Sequence, residues 1–378
     1  MELYNMMIQG LLLLAAALLA LGGTQVVKYL SNSMKLVHPV NDRSLHSSST
    51  PHGGGLGVVI SGSVVGMWLL TSFSPVSLIN ESEIKIAAIL VLGLVIAFLG
   101  LIDDIWLLSI RLRLTIQAVV LIGLLILLGS LPDFIFVHAP FFLDNNGLYI
   151  SGWLLSILVF VAGLWWINLF NFMDGIDGIA GTQTILMLTT GACLAAWSDA
   201  NAINSASWLM MLCISAATIG FMILNWSPAR IFLGDVGSYW LGFMILSLAL
   251  LTIQEQWLSY STWLILGVVF IADSTVTLLI RIVRGDRWYE AHRNHAYQHL
   301  SLRLTETGKK RGIDKRVART RAHRRINLGV IAISLVWLAP LASLTLYLPN
   351  WEWVWVLVAY LPLIIGAIIF GAGRPGSQ

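Results

Sequence analysis

The run Asn168-Leu-Phe-Asn171-Phe-Met-Asp174-Gly175-Ile-Asp177-Gly178-Ile-Ala-Gly181 sets two carboxylates and two carboxamides at the end of an apolar stretch that carries no charge from Ser151 to Asn168. Positions 168, 171, 174 and 177 are three apart, so on a helix they share one face that drifts by about 60° per step. Ionisable groups at membrane depth cost ~2.5 kcal/mol or more unless they find partners or water. The glycines after each Asp loosen the helix and let a ligand approach the backbone. Such a group is suited to handling an anion or a metal.

Four further clusters have the same character. Asp103-Asp104, followed by Arg111 and Arg113, is either a helix end near water or a pair of repelling carboxylates relieved by a cation or a shared proton. Mg²⁺ suits the second reading, because it takes one or two carboxylates and fills its shell with substrate phosphates. Gly234-Asp235-Val236-Gly237-Ser238 reads as a turn and helix start whose N–H groups are free to bind phosphate. Asp235 would then hold the metal, and Phe232 either stacks on a base or packs at the interface. His292-Arg293-Asn294-His295-Ala-Tyr-Gln-His299 spaces its histidines three and then four apart, on one helical face. That spacing also fits zinc, but fourteen Lys and Arg against four acids between 281 and 325 favour phosphate. The first such segment holds Arg43, Thr50-Pro51-His52 and Gly53-Gly54-Gly55 without an acidic cluster.

The elements that must position these groups are membrane helices. The chain is 57% hydrophobic and 11% charged, with a mean hydropathy of +0.82, which is far from soluble composition. Apolar runs long enough to span a bilayer fall at 10–30, 54–73, 84–101, 114–131, 152–169, 179–197, 207–224, 237–254, 262–283, 326–348 and 351–370. An all-α polytopic protein of about eleven spans follows, organised as a single domain over 1–378 with a basic loop at 284–325. With the N-terminus outside and the C-terminus cytoplasmic, every Lys and Arg except Lys85 lies on the inner side, as the positive-inside rule requires. All five clusters then share the cytoplasmic face. Asp144-Asn145-Asn146-Gly147 between alternating apolar runs predicts a small external β-hairpin near 134–150. Cys193 and Cys213 read as ordinary core residues. Asp273, inside the ninth span, must face protein or a water-lined cavity. The basic run from Lys309 to Arg325 reads as a topology anchor and an anionic-lipid contact.

These motifs resemble the polyprenyl-phosphate N-acetylhexosamine-1-phosphate transferases of glycosyltransferase family 4. The matches run in order from Thr50-Pro51 and the glycines, through Asp103-Asp104 and Asn168…Asp177-Gly, to Gly234-Asp235-x-Gly-Ser238 and the His-rich segment. The muramoyl-pentapeptide branch has adjacent histidines followed by an acid. The separated His292, His295 and His299 are more similar to the branch that initiates O-antigen and related lipopolysaccharide synthesis. The resemblance implies transfer of an N-acetylhexosamine-1-phosphate from a UDP-sugar to undecaprenyl phosphate with release of UMP, at the cytoplasmic face of the bacterial inner membrane. It implies Mg²⁺, with Mn²⁺ as a substitute, on Asp235 and Asp104. It assigns Asp103, Asp104 and Asp235 to catalysis. Arg43, Thr50, Asn168, Asn171, Asp174, Asp177, Phe232, Gly234, His292, Arg293, His295 and His299 are assigned to substrate. Membrane lipids are the further partners, a homodimer is compatible with the sequence, and no nucleic acid is expected. A secondary transporter would instead carry its site at the midplane with repeat symmetry. A CDP-alcohol phosphotransferase would need an Asp-Gly-x2-Ala-Arg block, whereas Gly181 follows Ala180 here.

Overall fold

The computed structural model describes residues 2–36, 50–73, 81–137, 148–286 and 293–375. Thirteen α-helices are described: α1 (Glu2–Leu30), α2 (Gly55–Phe73), α3 (Glu81–Trp106), α4 (Ile110–Leu128), α5 (Gly152–Phe172), α6 (Ile179–Ser198) and α7 (Ala206–Asn225), then α8 (Gly234–Gln254), α9 (Tyr260–Val283), α10 (Ala296–Lys310), α11 (Lys315–Ile333), α12 (Ala339–Tyr347) and α13 (Glu352–Phe370). A short π-helical segment, Ser334–Leu338, joins α11 to α12 in one rod of 33 residues, Lys315–Tyr347. Ten helices are long and apolar enough to cross a membrane, and a shorter apolar stretch, Gly55–Leu70, stands where the second span is expected. The protein is thus an all-α polytopic membrane protein. The expected hairpin is present: β1 (Phe134–Val137) pairs antiparallel with β2 (Leu148–Ile150), with a bulge between Ile135 and Val137.

Burial ranks the helices. The apolar window of α8 is 94% buried while that of α13 is only 17% buried, so α8 is the hub and α13 lies at the rim. Packing around the hub is close enough to specify residue size. A Cβ on Gly55 at the start of α2 would stand 2.3 Å from the Cα of Gly237 in α8. Without glycine at 55 the start of α2 could not approach the start of α8 this closely.

Two expectations need correction. The basic stretch at 284–325 is no plain loop: it contains α10 and the first turns of α11, which pack on one another. Cys213 is buried, but Cys193 is exposed on α6 and faces away from the core.

Candidate active site

The two adjacent aspartates at the end of α3 point to different neighbours. Asp103 is only 1% exposed. Its Oδ2 accepts from Arg113 Nη1 at 2.7 Å and from the Tyr239 hydroxyl at 3.3 Å, and its Oδ1 accepts from the Leu108 N–H at 2.8 Å. Three donors, one of them a guanidinium, converge on that carboxylate. Asp104 turns to the start of α8, where its two oxygens accept the N–H groups of Asp235 at 2.9 Å and Val236 at 3.1 Å. A helix start has unsatisfied N–H groups and a partial positive charge, and a carboxylate from a different helix answers both. The N–H groups read from sequence as a phosphate cradle are therefore occupied in part by Asp104. Gly234 enters the helix at φ +77°, and a Cβ there would sit 2.7 Å from Asp104 Oδ2.

The end of α5 supplies the opposite wall. Asn171 Nδ2 donates to Asp235 Oδ1 at 2.7 Å and to Ser238 Oγ at 2.8 Å, joining the α5 motif to the α8 motif. Asn168, one turn earlier, instead donates to Gln117 on α4 at 2.7 Å and to the Leu164 carbonyl, which makes it a bond between helices below the site. Asp174 faces the cavity. Burial first, then the charges of Asp235, Asp104 and Asp177, hold its carboxyl well above the usual carboxylate range. Asp177 is 6% exposed. Its Oδ2 accepts from the Ala229 N–H at 3.1 Å and lies 3.3 Å from His323 Nδ1, while its carbonyl accepts from Asn327 at 2.7 Å.

The His-rich segment is anchored from below. Asp273 accepts the first N–H groups of α10, from Ala296 at 2.9 Å and Tyr297 at 3.0 Å, and lies 3.4 Å from His295 Nδ1. The Tyr297 hydroxyl donates to the Phe172 carbonyl at 3.1 Å, and a Cβ on Gly175 would fall 2.0 Å from it. This contact ties α10 to the 174–178 turn. His299 is directed away, with Nε2 3.1 Å from the Arg374 carbonyl. Arg293 stands half-buried two residues before His295. Arg43 and His292 lie outside the described residues.

These parts enclose a cavity of about 250 Å³ lined by His52, Asp104, Asn171, Asp174, Asp177, Asn225, Phe232 and Asp235, among others. Thr50 is not part of this lining; it precedes Pro51, whose carbonyl accepts the Phe232 N–H at 2.9 Å. His52, which the sequence places in the first cluster without a substrate role, sits with its ring 5.4 Å from that of Phe232. Tyr239, Asn225, His323 and Asn327 are not singled out in the sequence at all. Among the described residues no three His, Cys, Asp or Glu side chains form a ready-made metal cage. The donors do fit Mg²⁺ in its usual role, with one or two carboxylates and substrate oxygens completing the shell. The crowding of Asp174 by three carboxylates is the charge excess a cation would relieve. A separate apolar cavity of about 320 Å³, lined by Leu169, Trp166, Met187, Ile245 and Trp263, opens between α5, α6, α8 and α9.

The sequence model of the family described as glycosyl transferase family 4 matches residues 86–253. A probable undecaprenyl-phosphate N-acetylglucosaminyl 1-phosphate transferase of Bacillus subtilis is 30% identical over 280 residues, covering 73% of each chain. Phospho-N-acetylmuramoyl-pentapeptide-transferases of Streptococcus mutans (28% identical; 49% of this chain, 56% of the relative) and Corynebacterium kroppenstedtii (25% identical; 63% and 73%) are also similar.

Proposed function

This chain belongs to glycosyl transferase family 4, the polyprenyl-phosphate hexosamine-1-phosphate transferases, and on that premise we propose that it moves an N-acetylhexosamine-1-phosphate from a UDP-sugar to undecaprenyl phosphate. The observation that carries the proposal is the cavity in which Asn171, Asp174 and Asp235 converge beside the start of α8. The reaction takes place at the cytoplasmic face of a bacterial inner membrane, where nucleotide-sugars are made and where the basic segments collect. Its product would begin a lipid-linked envelope glycan. The spacing of His292, His295 and His299 is the support for an O-antigen type.

The chemistry asks little of a general base. A phosphate monoester has its second pKa near 6, so the acceptor is largely dianionic at neutral pH. One of its oxygens attacks the sugar-bearing phosphorus; a P–O bond forms as the bond to UMP breaks, and UMP departs as an anion. Asp103 already accepts from Leu108, Arg113 and Tyr239. Its role is to hold Arg113 in place to meet an anionic phosphate. Asp235 and Asp174 would hold Mg²⁺, with Asp104 fixing the helix that carries Asp235. When bound, Mg²⁺ supplies charge neutralisation for the diphosphate and for the leaving nucleotide. Phe232 and His52 offer ring faces for the uracil, and the apolar cavity beside Leu169 suits a prenyl chain.

The test is UMP release by detergent-purified protein given undecaprenyl phosphate and a panel of UDP-N-acetylhexosamines, including the muramoyl-pentapeptide donor. Release that needs lipid, Mg²⁺ and Asp235 is expected. CMP release from a CDP-alcohol, or solute flux into sealed vesicles without covalent product, would overturn the reading.

A further inference from the structure

We propose that His323 and Asn327, on α11, are positioning residues that brace the nucleotide-sugar cavity from behind and set where Asp174 and Asp177 stand; this rests on the transferase reading above. The two residues are four apart and so share a helical face. Both are 0% exposed, on a rod whose apolar window is only 33% buried. Polar side chains inside a membrane protein are costly unless partnered, so their burial here calls for a reason.

Their partners supply one. His323 Nδ1 lies 3.3 Å from Asp177 Oδ2, and Asn327 donates to the Asp177 carbonyl at 2.7 Å. Together they grip both the side chain and the backbone of one residue of the α5–α6 turn. Asn327 also fills the space beside Gly178: a Cβ there would stand 3.2 Å from its Nδ2, and Gly178 has φ +80°. The neighbouring Arg324 donates to the Ser227 carbonyl at 2.7 Å. That segment in turn donates the Ala229 N–H to Asp177 Oδ2 at 3.1 Å. The chain from α11 to the cavity is therefore one link long, from His323 to Asp177, and Asp174 stands three residues before Asp177 in the same turn. None of these α11 residues lines the cavity, so they act through Asp177.

The experiment compares His323→Ala, Asn327→Ala and His323→Asn in the full-length protein, each first checked for monodispersity and thermal unfolding. Asn at 323 keeps an amide N–H near the position of Nδ1. Losing the 3.3 Å contact with the Asp177 carboxylate, or the Asn327 bond to its carbonyl, is expected to raise the KM for the UDP-sugar about tenfold, with kcat and the KM for undecaprenyl phosphate within about twofold. His323→Asn should recover most of that loss. If His323→Ala does not fold, Asn327→Ala and His323→Asn still decide. An unchanged donor KM in the folded variants overturns the proposal. So does an equal loss for both substrates that follows a drop in unfolding temperature, which would mean a structural role only. UDP binding measured by calorimetry without lipid separates the two readings. UDP binding that weakens about tenfold in the variants supports the brace even if no donor in the panel is turned over, and that silence would count against the transferase reading alone.

Discussion

Asp104→Asn separates an anchoring carboxylate from a metal ligand. In the wild type both oxygens of Asp104 accept backbone N–H groups of the first turn of α8. Asparagine keeps one acceptor, turns an NH₂ toward the second N–H, and removes the negative charge from a helix N-terminus. Hydrogen bonds to charged groups contribute about 1.5–3 kcal/mol and the charge–dipole term about 0.3–1 kcal/mol. Losing one bond and the charge should cost about 2–4 kcal/mol. For a chain of this length that corresponds to a fall in unfolding temperature of about 2–5 °C. Thermal unfolding in detergent measures the fall, and the Mg²⁺ concentration giving half-maximal UMP release measures metal affinity. The geometry predicts lower stability and lower kcat, because Asp235 is displaced, with the Mg²⁺ requirement within about twofold of wild type. An unchanged unfolding temperature together with a Mg²⁺ requirement raised about tenfold would refute the reasoning and make Asp104 a ligand.

Asp103→Asn should lower kcat, because Arg113 loses its partner, but leave the shape of the pH–rate profile unaltered, since an acceptor phosphate that is largely dianionic at neutral pH needs no general base; loss of an acidic limb would contradict this. Asp174 gives a pH prediction for stability. Its carboxyl is held above the ordinary value of 3.8, so the native state binds the proton more tightly than the unfolded chain, and stability falls as pH rises from that value through the raised one. In EDTA the unfolding temperature should therefore fall as pH rises above 3.8, the slope should flatten in Asp174→Asn, and Mg²⁺ should recover the stability lost at higher pH. A slope identical in both proteins would remove Asp174 from the account. Gly55→Ala forces a Cβ to 2.3 Å from Gly237 Cα and is expected to cost about 1–3 kcal/mol with most of the activity. Gly10→Ala, with nothing within 4 Å of its Cβ, should be neutral or slightly stabilising in the same unfolding assay.

The spans were legible because hydropathy reports membrane burial directly, and Asn171, Asp174 and Asp235 because polar groups at span ends are too costly to be incidental. The division of labour between Asp103 and Asp104 was not legible. Side chains one residue apart on a helix diverge by about 100°, and what each meets depends on Tyr239 and Val236, more than 130 positions away. Asn168 fits the same spacing as Asn171, yet it faces Gln117, because the drift of three-residue steps carries it off the cavity face. His323 and Asn327 sit at the end of a run crowded with arginines, where charge reads as a topology anchor. Only the packing of α11 on α6 shows that this run also turns two polar side chains inward.

The long reach of the Asp104 contacts bears on how the chain is made. Asp103 and Asp104 leave the ribosome 131 residues before the α8 backbone that answers Asp104. At about 5–20 residues per second this is a wait of about 7–26 s. Arg113 follows Asp103 by only ten residues, so that carboxylate has a counter-charge almost at once. Asp104 instead takes its backbone donors from the first turn of α8, and the nascent α3 must keep its end at the water boundary until α8 arrives. Insertion intermediates arrested before Gly234 should accordingly leave Asp104 open to water-borne carboxylate reagents, and those arrested beyond Gln254 should shield it.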